Sequence, residues 1–128
     1  MKYPTTMSAA VRFWHPSASV KEIEDAFGQA ASVSHEVGQL RTHGDKAPHR
    51  ETYCNFDLVP SKSVDAGDLI STCLGILKRR HSAIVTLLAS GGTMILAVKL
   101  VDRSFVQLYL EQSQIAALAS AGVGLVFE

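Results

Sequence analysis

In the stretch ETYCNFDLV, residues 51–59, two kinds of side chain take turns: Cys54, Phe56 and Leu58 against Tyr53, Asn55 and Asp57. Successive side chains of an extended chain point to opposite sides. The alternation therefore fits a strand with one face on a core and the other open to contact. Residues 7–15 repeat the pattern, with Ala9, Val11 and Phe13 opposed to Ala10, Arg12 and Trp14. Two such strands imply a sheet whose apolar side is covered by helices.

The segments between and after them supply those helices. Pro16 ends the first strand, and Ser19 with Glu22 forms an S-x-x-E capping box ahead of a Val20, Ile23, Phe27 stripe that Gly28 closes. Residues 29–50 hold no sustained period and carry Gly38, Gly44 and Pro48, so they read as a long irregular connection with room for a short strand. Pro60 is expected to stop the second strand. Asp65 then caps a helix with Ala66, Leu69, Ile70, Cys73, Leu74 and Leu77 on its apolar face, and Lys78, Arg79, Arg80 and His81 at its end. Ser82 restarts a short helix through Leu88, which Gly91 and Gly92 break.

Residues 93–101 are apolar on nearly both faces, as in a central strand, and DRS turns them into 105–110 as a hairpin. Ser113 caps a last helix with Ile115, Leu118 and Ala119, Gly122 stops it, and 123–127 make a closing strand. The expected fold is α+β: one domain over residues 1–128 with a largely antiparallel, mixed five-stranded sheet and its helices on one face. From about residue 51 the elements follow the ferredoxin-like order β-α-β-β-α-β.

The elements AVRFWHPSASVKEIEDAFG, SHEVGQL, ETYCNFDL, DLISTCLGILKRR and SQIAALASAGVGLVFE follow one another in an order that resembles the bacterial domain-of-unknown-function 4279 family, over nearly the whole chain. The resemblance implies a small bacterial α+β protein with no established activity. It transfers no catalytic residue to any position here.

Composition bounds the function. Hydrophobic residues make up 47% and charged residues 19% of 128, which is globular. Twelve basic and twelve acidic side chains cancel. A nucleic-acid binder needs excess Lys and Arg to displace counterions from phosphates, so no nucleic acid is expected as a partner. The N-terminal segment lacks the apolar run of a secretion signal, residues 82–98 are too polar to span a bilayer, and two cysteines fit free thiols. A cytoplasmic protein with no membrane contact is expected.

Chemistry-bearing motifs are sparse. His43, His49 and Cys54 lie in one stretch, and the alternative function is a metal-dependent or thiol enzyme centred on them. Structural zinc usually draws on paired close ligand spacings, and these three are five and four residues apart without a second pair. Cys54 and Cys73 both fall on apolar faces, where a thiol stays protonated and inert. No phosphate loop, dinucleotide fingerprint, zinc-protease helix or nucleophile elbow occurs, and no cofactor is expected.

The sharper signal is the outer face of the sheet. Arg12, Trp14, Tyr53, Asn55 and Asp57 share it, and Lys99 with Phe105, Gln107 and Tyr109 of the hairpin would join them. A solvated face is normally more uniformly polar. Aromatics mixed with Arg, Lys, Asn, Gln and Asp suit a contact surface. The expected function is therefore a non-catalytic binding module whose outer sheet face takes a second copy of the chain, as a homodimer, or a protein partner.

Overall fold

The computed structural model describes residues 5–42, 44, 47–101 and 108–128. Its elements run β1 (Thr5–His15), α1 (Val20–Phe27), β2 (Val33–His35), β3 (Thr52–Val64), α2 (Ala66–Lys78), α3 (His81–Ala89), β4 (Thr93–Leu100), α4 (Gln112–Ser120) and β5 (Val123–Phe127). The fold is α+β, with four helices and a mixed five-stranded sheet in the order β2-β3-β1-β4-β5. Neighbours are antiparallel except β4 and β5, which run parallel and are joined through α4. A parallel pair needs such a crossover because a tight turn cannot return the chain to the same end.

Alternation along β1 sends Met7, Ala9, Val11, Phe13 and His15 inward, each buried, and leaves the residues between them half-exposed. The inward residues of β3 and β4 join the same core as Ile23 and Phe27 of α1, Leu69, Ile70 and Cys73 of α2, Ile84 of α3 and Leu118 of α4. All four helices thus cover one face. Phe27 stacks on Phe56 with centroids 4.4 Å apart and meets Phe13 edge-on at 5.4 Å, tying α1 to β3 and β1.

The caps follow from local chemistry. Ser19 Oγ accepts from the Glu22 N–H at 3.1 Å, and the Glu22 carboxylate returns to the Ser19 N–H, which completes the expected capping box. Gly28 ends α1 in the left-handed region at φ 73°, and a Cβ there would collide with the Arg80 guanidinium. Arg80 thus lies over the C-terminus of α1, where a cation is favoured. Asp65 caps α2 through the Gly67 N–H. α4 begins two residues earlier than expected, because Glu111 and not Ser113 forms a capping box, with Gln114.

Three further expectations change. β3 does not stop at Pro60 but continues to Val64 across irregular register opposite Met7 and Ala9. A proline is tolerated in a strand where no ladder bond needs its missing N–H, as at a bulge or an edge. The same irregularity leaves Leu58 without a paired position and only half-buried against the core: Ala10 pairs with Asp57 and Ala9 with Val59, and Val59 takes the buried position. Finally, the ferredoxin-like order from residue 51 is not what the described residues form. β4 is hydrogen-bonded to β1 on one edge and to β5 on the other, so neither edge is free for a hairpin partner. Leu108, Tyr109 and Leu110 lie outside any strand, and Phe105 and Gln107 lie outside the described residues.

Candidate functional site: the open sheet face

The outer face is built in cross-strand rows. Register aligns Thr93 of β4, Trp14 of β1, Tyr53 of β3 and His35 of β2 in one row, and Ile95, Arg12, Asn55 and Val33 in the next. Directly paired residues point to the same side, so each row presents its side chains together. Trp14 and Tyr53 have ring centroids 5.3 Å apart, and Tyr53 and His35 are 5.5 Å apart. His49 then stacks on His35 at 3.5 Å with 12° between planes. The connection after β2 folds back to make this possible: the His49 N–H donates to the Gln39 carbonyl, and the Gly38 N–H donates to that of His49. Four rings from three strands and a loop thus run across one end of the face.

Beside them the floor is shallow. Ala10 and Ala97 pair across β1 and β4, and their small side chains leave a groove of about 440 Å³. Arg12 reaches over that floor to an ion pair with Glu128 at 2.5 Å, which holds the guanidinium pKa above its ordinary value. Asp57 and Lys99 are exposed at the groove's other sides. Asn55 donates to Ser32 Oγ at 2.8 Å and to Asp57 Oδ1 at 3.2 Å, which fixes both carboxylate and amide. The face therefore carries two cations and two anions around an alanine floor.

Burial pushes the Tyr53 phenol up, with Arg12 opposing. His35 is held below the usual histidine range, first by desolvation and then by His49 and Arg41. Both shifts favour the neutral forms, which suits rings that stack.

Of the expected face residues, Arg12, Trp14, Tyr53, Asn55, Asp57 and Lys99 stand together on it. Tyr109 is 53% exposed but occupies no strand position. Reading of periodicity missed His35, His49, Val33, Ile95 and Glu128. A three-residue strand carries too little alternation to be seen, and the stacking of His49 depends on a loop path that no local pattern encodes.

The sheet separates the alternative cluster. Cys54 is fully buried on the core face, and desolvation, with Glu24 and Glu36 adding, raises its thiol to about 11. His49 lies against the opposite face, and His43 is outside the described residues. Cys73 is likewise buried, with its thiol raised to about 11 by desolvation. Among the described residues no three His, Cys, Asp or Glu side chains converge as metal ligands. Nor is any helix among them long and apolar enough to cross a membrane.

No family model, curated protein or solved structure matches this chain. The chemistry of the face itself carries the functional reading.

Proposed function

We propose that this protein is a small binding module without catalysis, whose aromatic-polar sheet face pairs with a second copy of itself. The observation that carries this reading is the outer face: a row of four rings beside a groove ringed by Arg12, Lys99, Asp57 and Glu128. Among the described residues no helix packs on it. Trp, Tyr and Arg are the residue types that dominate interface energetics, since they bury much area for little lost rotamer freedom.

The charge pattern favours a second copy over a partner of one sign. A two-fold interface sets each patch against itself, so a stable one must complement itself. A balanced face allows Lys99 of one copy to sit opposite Asp57 of the other, while Arg12 and Glu128 keep their own pair. Two buried thiols fit a reducing compartment, and the cytoplasm is the proposed location. The order of elements read from the sequence resembles the 4279 family, and on that resemblance alone a small bacterial protein is proposed.

Sedimentation velocity over rising concentration tests the reading. The wild type is expected to form a dimer, and Trp14→Ala to weaken it by at least about tenfold, the scale of an interface hot spot. A wild type that stays monomeric at millimolar concentration overturns self-pairing. A heterologous partner captured equally well by wild type and Trp14→Ala overturns the use of this face.

A further inference from the structure

On the other side of the sheet the helical layer is not closed. Neither α3 (HSAIVTLLA) nor α4 (QSQIAALAS) contains an Asp, Glu, Lys or Arg. Surface helices ordinarily set charges on their outward side, so two neutral helices in one layer leave apolar surface without a polar cover. Between them lies a groove of about 540 Å³. That volume falls within the roughly 300–1,000 Å³ of small-molecule sites.

Leu77, Ile84 and Met94 form its floor, each no more than 5% exposed. Val85 of α3, 42% exposed, and Ala117 of α4 also line it. Its polar lining is Lys78 at the end of α2, His81 at the start of α3 and Ser120 of α4, and no acidic residue lines it among those described. The Gln114 amide bonds the Gly67 carbonyl at 2.7 Å and Ser71 Oγ at 3.0 Å, so the N-terminal ends of α2 and α4 are held together. The groove therefore opens toward their C-terminal halves, at the end of the layer that carries Lys78.

We propose that this groove binds a fatty acid, with the acyl chain along Leu77, Ile84 and Met94 and the carboxylate at Lys78 and His81. An apolar trough with the cation of Lys78 on its lining matches a ligand that is apolar along its length and anionic at one tip. The proposal is independent of the pairing of the outer face, because the two surfaces lie on opposite sides of the sheet.

Calorimetric titration of the full chain with dodecanoate, kept below its micellar concentration, tests it. Saturable binding of one dodecanoate per chain is expected. Ala117→Trp, on a half-buried wall, should lower affinity by at least about tenfold by taking up the acyl space. Lys78→Glu should lower it by roughly two- to tenfold, as befits exposed charges. Thermal unfolding of both variants confirms that they fold, and dodecyltrimethylammonium should bind the wild type more weakly than dodecanoate. The proposal is overturned by an absence of saturable binding, by dodecanoate affinity unchanged in Ala117→Trp, or by equal binding of the cationic probe. A dimer that Ala117→Trp breaks, with no dodecanoate bound, would assign the groove to a second copy and equally overturn it.

Discussion

Thr52 has no solvent exposure, and its hydroxyl joins three segments. It donates to the Ala18 carbonyl at 2.6 Å and accepts from the Val37 N–H at 3.0 Å, so β3 holds both the turn after β1 and the loop after β2. Valine matches its shape but leaves both backbone groups without a partner in a dry site. Thr52→Val should therefore cost about 1–3 kcal/mol in denaturant unfolding, whereas Thr52→Ser should cost less because the bonds survive. His35 is a second informative residue. Its folded-state pKa lies below the ordinary value, so near that value the unfolded chain binds more protons than the folded one. Its contribution is fully present above the ordinary histidine pKa and is lost as pH falls through the lowered one. His49 and Arg41 oppose its charge and Glu51 favours it, so the net direction is set first by burial and then by His49 and Arg41. Between about pH 7.5 and about pH 5.5 the wild type should lose more thermal stability than His35→Gln, since only the wild type carries this histidine titration. Equal losses would mean that the stacked pair tolerates protonation.

At the scale of elements, α1 rests on its N-terminal cap as much as on its stripe. Eight residues are too few to hold a helix by propensity alone. Ser19→Ala should destabilise the protein by about 0.5–2 kcal/mol, read from the shift of the denaturation midpoint at constant slope. This helix was legible in sequence because its signals are local: Ser19, Glu22, the stripe and Gly28 lie within ten residues. The parity of β1, β3 and β4 was legible for a similar reason, since alternation is a property of consecutive residues. That placed Arg12, Trp14, Tyr53, Asn55, Asp57 and Lys99 on a common face without any knowledge of strand order. What was not legible depends on distant partners. Pro60 ends a strand only if a neighbour needs its N–H, and Leu58 keeps its parity only if the register runs unbroken. The turn and much of the second strand of the expected hairpin after β4 lie outside the described residues, and β1 and β5, far apart in the chain, occupy both edges of β4. His49 reaches His35 through a fold-back of the 38–49 connection that no periodicity announces.

At the scale of the whole molecule, one sheet divides the protein into two chemically distinct sides. The inner side is buried under four helices, with an apolar groove between α3 and α4. The outer side sets aromatic rings beside balanced charges on a surface that no described helix covers. Zero net charge removes the long-range repulsion that keeps many small proteins apart, and short-range contacts then decide association. The chain contains one tryptophan, Trp14, and it stands in the ring row of the outer face, in contact with Tyr53. Its indole fluorescence therefore reports on that face alone. If the face pairs with a second copy, raising the protein from about 1 μM to about 1 mM, a span that covers weak to moderate affinities, should shift Trp14 emission to shorter wavelength in step with the rise in sedimentation coefficient. A sedimentation coefficient that rises while Trp14 emission stays fixed, or one that does not rise at all, would contradict the account.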